Sequence, residues 1–258
     1  MEKLGLSVVL AFMLLSIPLI AQQKENAIPD NVISIEKENT KQISDNNEET
    51  TEPNKEVKEL LKTSDIKIEN PALIQLLNET SIKPTPFSFG YRADVFLGNW
   101  PLHYKMKEQK TEWQFQQINT NEYNNQNGEK KQTLYYHQLE ESRIVGALTS
   151  KVKGTNQLQQ MILAKVKEKE KLPVSFAATV GKDTRLSQTY DVPVGKRGTL
   201  KAYMPAVKAT GEATYGEVYI QLKGTKKQIV IKNVTKQEVN AFLPVSNHLY
   251  FQYSQTDN

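Results

Sequence analysis

Alternation of apolar and polar residues begins at Phe87 and predicts β-strands for most of the chain that follows. In residues 90–104, GYRADVFLGNWPLHY, the apolar positions are odd at first and even later, and the phase changes at Gly98-Asn99. A glycine-containing dipeptide between two alternating runs is typical of a two-residue hairpin turn. The pattern therefore predicts a β-hairpin with its tip at Gly98-Asn99.

The outer face of this predicted hairpin carries the first candidate functional residues. Pairing across the turn sets Asp94 opposite His103 and Arg92 beside Lys105. Asp94 with His103 resembles two thirds of a catalytic triad, but an ion pair on a solvated face explains the same two residues. We take Arg92, Asp94 and His103 as candidate binding residues and assign no catalytic residue.

Three helices are predicted among the strands. Asn54 begins one short helix, and Asn70 before Pro71 is typical of the N-cap of a second. Residues 156–171 predict one long helix that ends before Pro173. The fold class is α+β: a mostly antiparallel β-sheet with one long helix and two short N-terminal helices.

Further strands are indicated along the rest of the chain, in residues 112–118, 132–139, 143–152, 173–180, 186–192, 199–204, 217–222, 228–234 and 249–253. Residues 223–227, KGTKK, predict a basic hairpin tip. Lys226 and Lys227 in this tip are candidate residues for binding an anion.

The N-terminus has the layout of an exported protein. Residues 1–21 predict a signal peptide cleaved after Ala21, with retention as a membrane anchor as the alternative. Residues 22–53 are polar and acidic and predict a disordered tether, in which residues 31–35 could add a strand elsewhere. Residues 54–258 are expected to form a single globular domain.

The charge is divided unevenly, although the formal net charge is only +4. Residues 22–80 contain 7 Lys or Arg and 13 Asp or Glu, which gives −6, whereas residues 81–258 contain 25 and 15, which gives +10. A domain with this excess attracts polyanions in a salt-sensitive way. The absence of cysteine excludes disulfides and thiolate chemistry.

Recognisable chemistries are missing from the sequence. No strained serine turn accompanies Asp94 and His103, and the three histidines lack the spacing of a metal site. Two glycine-rich turns, 181–184 and 195–198, lack the spacing of a phosphate-binding loop. No cofactor and no metal ligands are therefore expected. The amide- and tyrosine-rich region 113–139 suits a glycan-binding surface, or a solvated sheet face.

Four stretches carry a resemblance to a known family: IENPALIQLLNETS (68–81), GYRADVFLGNWPLHY (90–104), INTNEY (118–123) and YGEVYIQLKGTKKQIVIKNVT (215–235). In this order they resemble the YfkD-like family of Bacillus and its relatives, over about residues 65–251. The resemblance implies export from a Gram-positive cell. It assigns no catalytic or ligand residues to this chain.

We therefore expect a secreted, non-enzymatic protein of the cell envelope that binds an anionic wall polymer or an envelope protein through its basic domain. Nucleic acid is not an expected partner, and contact with the membrane is expected only through an uncleaved anchor. One alternative is a wall-acting enzyme with an unrecognised site. Another is a membrane-active β-protein that inserts residues 174–192.

Overall fold

The computed structural model describes residues 28–35, 51–82 and 92–257. This part of the chain is mostly antiparallel β-sheet with few helices. The strands are β1 (Val32–Ser34), β2 (Arg92–Asn124), β3 (Gln132–His137), β4 (Ser142–Val145), β5 (Ala147–Leu148), β6 (Ala177–Val180), β7 (Arg185–Val192), β8 (Lys196–Lys223), β9 (Lys226–Pro244) and β10 (His248–Asp257). The helices are α1 (Lys55–Leu61), α2 (Pro71–Glu79) and α3 (Thr155–Lys167).

Strand β8 is the axis of a long central sheet. It has 28 residues, and on one side it pairs with the 33-residue strand β2 along nearly its whole length. On its other side β8 pairs first with β10 and then with β9. Strand β1 extends the sheet beyond β10, and β5 extends it beyond β9. The result is a sheet far longer than it is wide.

The remaining strands form a second layer at one end of this sheet. Strand β3 pairs with β7, and β4 pairs with β6, so that residues 132–145 run antiparallel to residues 177–192. Their apolar side chains pack on the beginning of β8 and on β10. This arrangement buries one face of the sheet end as in a sandwich.

Three hydrophobic clusters follow one another along the central sheet. The first joins the second layer to Leu200, Ala202 and Met204 of β8. The second packs α3 on the middle of β8 and β9, and the third packs α1 and α2 on the far end. Each fully buried Leu, Ile or Val contributes about 1.5–3 kcal/mol relative to an exposed one.

Strand β8 changes the parity of its buried positions twice, near register shifts in its pairing with β2 and β9. Buried positions are even-numbered up to Met204, odd-numbered at Ala209 and Ala213, and even-numbered again from Val218. The pairing register shifts between Glu112 and Gln116 of β2 and between Tyr215 and Glu217 of β8. At the first shift β2 has two more residues than β8, and at the second β9 has one more residue than β8. On both sides of these irregularities the apolar residues of β8 face the clusters.

The predicted hairpin at Gly98-Asn99 is wrong. Strand β2 continues through both residues and pairs with β8 on either side of them. Gly98 has a φ of +117° and lies at a register shift, which makes it part of a β-bulge. A bulge and a two-residue turn each change the alternation by one position, so the sequence pattern fits both.

The partners predicted from that hairpin are wrong for the same reason. Asp94 pairs with Gln221 and not with His103, which pairs with Thr214. Arg92 pairs with Lys223 and therefore does not lie beside Lys105. Asp94 and His103 are nine positions apart on one strand, about 30 Å at the usual rise per residue.

The predicted long helix is shorter than expected. Helix α3 has 13 residues, ends at Lys167 and thus stops four residues before the predicted end. Its last buried side chain is Val166, and the next residues are alternating lysines and glutamates with no apolar face to bury. Because most helical stability in proteins comes from a packed face, the helix ends where that face ends.

Several local predictions are confirmed. Asn54 caps α1 and Asn70 caps α2, with Pro71 at the first helical position. The β8–β9 connection forms the predicted basic hairpin tip. The possible strand in residues 31–35 is confirmed, since β1 pairs with β10; the prediction of disorder is wrong for residues 28–35, because Ile33 and Ile35 pack in the first cluster. The signal peptide, the other tether residues before 51 and Phe87 lie outside the described residues.

Residues 174–192 do not form a hairpin of their own. Strand β6 pairs with β4, and β7 pairs with β3, although a turn at Asp183 connects them. Buried residues Val180 and Leu186 pack in the first hydrophobic cluster. Insertion of this segment into a membrane would thus require both pairings to break.

Candidate functional site

Three cations lie side by side at the end of the central sheet. Arg92 pairs with Lys223, and Lys223 pairs with Lys226 across the β8–β9 turn. Neighbouring strands are about 4.8 Å apart, so the three side chains start from adjacent positions. All three residues are exposed. We call Arg92, Lys223 and Lys226 the basic row.

Lys227, also predicted as a binding residue, is not part of this row. It pairs with Leu222, whose side chain is buried in the third cluster, and is itself half-buried. Successive residues of a strand point to opposite faces. Lys226 and Lys227 therefore project to opposite sides of the sheet.

No carboxylate of the described residues forms an ion pair with the basic row. Within the described residues, no Asp or Glu lies within ion-pair distance of these three cations, whereas the ion pairs of the surface occupy Lys62, Lys67, Lys107, Lys131, Lys165, Lys196, Arg197, Lys232 and Lys236. Like charges placed directly opposite on paired strands destabilise a sheet by about 0.2–1 kcal/mol per pair. Asp94, two residues from Arg92 on the same face, offsets part of this repulsion without forming an ion pair with the row.

Next to the basic row, on the same face, lies a row of hydrogen-bonding side chains. Gln221 Nε2 donates to Asp94 Oδ1 at 2.9 Å, and Gln228 Nε2 donates to Gln221 Oε1 at 2.9 Å. Lys232 Nζ binds the other oxygen of Asp94 at 3.1 Å. The hydrogen bonds from Gln221 and Lys232 hold the pKa of Asp94 below its ordinary value. We call Asp94, Gln221 and Gln228 the amide row.

A third row on this face is apolar. Phe96 pairs with Tyr219, and Tyr219 pairs with Val230. The ring centroids of Phe96 and Tyr219 are 5.0 Å apart, and Lys232 Nζ lies 4.4 Å from the centre of the Tyr219 ring. Phe96 is nevertheless 55% exposed. We call Phe96, Tyr219 and Val230 the aromatic row.

His103 lies apart from these rows, at a cavity of about 340 Å³ between β2, α3 and the segment before α2. Glu69 and Lys165 line the same cavity and form an ion pair at 3.2 Å. Burial lowers the pKa of His103, which favours its neutral form near pH 7. The structure therefore separates His103 from Asp94 and forms no pair of the triad type between them.

The amides of residues 113–139 mainly serve the fold. The Asn119 and Asn121 side-chain amides both donate to the backbone oxygen of His137, at 2.6 and 2.9 Å. Tyr136 and Asn125 are buried. This region therefore fastens β2 to β3, and only some of its aromatic surface, such as Tyr135, remains exposed.

Two negative findings apply to residues 28–35, 51–82 and 92–257. No group of three His, Asp or Glu residues is placed as the ligands of a metal ion would be. No helix has the length and hydropathy needed to cross a bilayer.

These observations define a mostly antiparallel β-protein whose candidate site is an open surface of paired strands. The chain belongs to the YfkD-like protein family, whose profile matches residues 29–258. It is 41% identical over 248 residues to the Bacillus subtilis (strain 168) protein named Uncharacterized protein YfkD, covering 96% of this chain and 94% of the relative.

One solved structure has a weaker likeness. The crystal structure of Lamprey immune protein aligns with 64% of this chain and 53% of its own, at 11% identity and a TM-score of 0.24. A TM-score this low supports no conclusion about fold or function.

Sequence reasoning found part of the site and missed the rest. Arg92 and Lys226 were predicted separately, and the structure places them in one row. Lys223 belongs to the predicted basic tip, so a local signal for it existed. Phe96, Tyr219 and Gln228 carried no local signal, because only the pairing of distant strands brings them together.

Proposed function

We propose that the protein is exported and binds an anionic polymer of the cell envelope through the basic row, without catalysing a reaction. The observation that carries this proposal is the row itself: three adjacent, exposed cations with which no carboxylate of the described residues forms an ion pair. A polyanion lying across the strands meets all three charges at once. Such binding weakens as salt rises.

The cost of the row supports the same proposal. Arg92, Lys223 and Lys226 repel one another across the strands, and a surface selected for stability alone would place a glutamate among them. Function commonly retains residues that lower stability. A bound polyanion removes the repulsion and so stabilises the folded state.

Export is supported by the sequence pattern of residues 1–21. Outside a Gram-positive cell, the abundant polyanions are wall polymers with phosphate groups. An envelope protein with an acidic surface is the competing partner for the same cations.

The test compares two variants that lose the same charge. In the first, Arg92, Lys223 and Lys226 are replaced by glutamine. In the control, Lys151, Lys153 and Lys182, which are exposed and lie elsewhere, are replaced by glutamine. Binding to purified Gram-positive walls is measured over a salt series, with walls stripped of their phosphate polymer as a second control.

We expect the basic-row variant to lose at least about tenfold in affinity, which corresponds to about 1.4 kcal/mol. Its affinity should also depend less steeply on salt, because three fewer cations displace counterions. The control variant should bind like the wild type. Equal losses in both variants, or unchanged binding to stripped walls, would contradict the proposal.

A further inference from the structure

We infer that the aromatic row is a subsite for a sugar ring carried as a side group on a phosphodiester polymer. This inference rests on the proposed function, because it places the phosphates of the same ligand on the basic row. It assigns a ligand class to a surface formed by Phe96, Tyr219 and the neighbouring amide row.

The Phe96 ring is exposed and yet held in place. Tyr219 packs against one side of it with the centroids 5.0 Å apart. Tyr219 is itself fixed, since its hydroxyl donates to Glu217 Oε2 at 3.0 Å and Lys232 lies over its ring. An aromatic face that is exposed and already immobilised loses little conformational freedom when a flat apolar ring stacks on it.

The amide row supplies groups suited to hydroxyls. The Gln221 amide nitrogen donates a hydrogen bond to Asp94, and the Gln228 amide nitrogen donates one to the Gln221 oxygen. Gln228 is exposed, and its amide oxygen is able to accept a hydrogen bond from a ligand hydroxyl. A sugar needs this combination of an apolar face and nearby polar acceptors.

The order of the rows sets the order of groups on the ligand. Arg92 and Phe96 are four residues apart on β2, which is about 13 Å, and the amide row lies between them. A polymer whose phosphates cross the basic row therefore reaches the aromatic row only through a group that projects from its backbone.

The charges around the aromatic row distinguish a sugar from other occupants. Asp94 and Glu217 lie on the two sides of the Phe96–Tyr219 pair along the strands. An anionic lipid surface lying flat on this face would contact both carboxylates. A nucleotide stacked on Phe96 would bring its own phosphate to them as well. An uncharged sugar avoids this repulsion.

The experiment uses the purified protein and three probes at equal phosphate concentration: poly(glycerol phosphate), the same polymer with glucosyl side groups, and single-stranded oligo(dT). Phe96→Ala and Phe96→Leu are compared with Tyr135→Ala, which removes an exposed aromatic side chain elsewhere, on β3. Phe96→Leu keeps an apolar contact with Tyr219 but has no flat ring. Thermal unfolding checks that each variant is folded.

We expect the wild type to prefer the glucosylated polymer by about two- to twelvefold, the range that 0.5–1.5 kcal/mol of ring stacking gives. Both Phe96 variants should lose this preference and still bind the plain polymer, while Tyr135→Ala should keep it. Equal binding of both polymers by the wild type would overturn the inference, and so would tighter binding of oligo(dT) or a preference that survives in Phe96→Leu.

Failure of the inference and failure of the proposed function give different results. If the basic-row variant loses binding to the plain polymer but Phe96 has no effect, only the sugar subsite is excluded. If the wild type binds none of the three probes, or the basic-row variant binds as well as the wild type, both are excluded.

Discussion

Asn70 connects two elements through one buried side chain. Its Oδ1 accepts hydrogen bonds from the Ala72 and Leu73 backbone at the start of α2, and its Nδ2 donates to the Pro101 backbone oxygen of β2 at 2.7 Å. The side chain is fully buried. It therefore positions α2 on the edge strand as well as capping the helix.

We expect Asn70→Ala to lower the free energy of unfolding by about 2–4 kcal/mol, because it removes a cap and leaves the Pro101 oxygen buried without a donor. Asn54→Ala is the matched control. Asn54 caps α1 in the same way but is exposed, so its loss should cost about 1 kcal/mol. Urea unfolding measures both, and equal costs would show that the contact with Pro101 contributes nothing.

Glu69 gives a pH dependence that can be measured. Burial raises its pKa, but hydrogen bonds from Lys67 and Lys165 outweigh burial and hold the pKa below its ordinary value. The folded state therefore keeps this carboxylate charged at a lower pH than the unfolded state does. The resulting stability is complete above the ordinary value of about 4.3 and is lost as the pH falls through the folded value.

We accordingly expect Glu69→Gln to make thermal stability less dependent on pH below about 4.5. Lys165→Gln should act in the same direction, because one cation fewer then opposes the burial of Glu69 and the pKa of this carboxyl in the folded state is less depressed. Melting temperatures between acid and neutral pH test this. A Glu69→Gln profile that parallels the wild type would refute the assignment.

At the scale of elements, strand β2 is a long edge that pairs only with β8 among the described strands. Exposed edges invite pairing with other chains, and proteins protect them with bulges, proline and charges. Strand β2 has five register shifts, contains Pro101, and is covered near that residue by the segment that leads into α2. These features oppose the pairing of so long an edge with another chain.

The Gly98 bulge is one of these features. A Cβ at Gly98 would lie 3.0 Å from Trp100 Nε1, which donates to the Leu97 oxygen. Gly195 also has a positive φ but faces open space. We expect Gly98→Ala to cost about 1 kcal/mol more than Gly195→Ala in unfolding free energy, since Gly98 has the larger positive φ and an added Cβ there is also crowded. Equal costs, measured by urea unfolding, would show that the Trp100 side chain moves aside to accommodate the added methyl group.

The sequence predicts local features of these elements better than their partners. The caps at Asn54 and Asn70 and the turn at 223–227 depend on a few consecutive residues, and all are confirmed. The Gly98 phase change fits a turn and a bulge equally, and the choice depends on β8, more than one hundred residues later. The basic row could not be assembled for the same reason, because Arg92 meets Lys223 only through that pairing.

At the scale of the molecule, β8 passes through all three hydrophobic clusters. It contributes Leu200 to the first, Ala209 to the second and Ile220 to the third. No linker separates the clusters along this strand, and β2 accompanies it from end to end. Loss of one cluster therefore exposes the strand that supports the next.

We expect three variants, one in each cluster, to unfold in a single cooperative transition with a lowered midpoint temperature. They are Leu249→Ala, Leu158→Ala and Leu73→Ala. All three side chains are fully buried, so each change should cost about 2–5 kcal/mol through lost burial and a cavity. Scanning calorimetry tests this. A second transition that appears in any variant would mean that the clusters unfold independently.

Strand β1 and the basic row lie far apart along the central sheet. Val32 is level with Tyr250 and Tyr203, whereas the basic row begins at Lys223, twenty residues further along β8. At the usual rise the two points are on the order of 60 Å apart, more than the 40–45 Å thickness of a bilayer with its head groups. Strand β1 thus lies toward the end of the central sheet opposite the basic row. If a polymer binds the basic row as we propose, the central sheet is a stiff spacer that keeps this polymer far from β1.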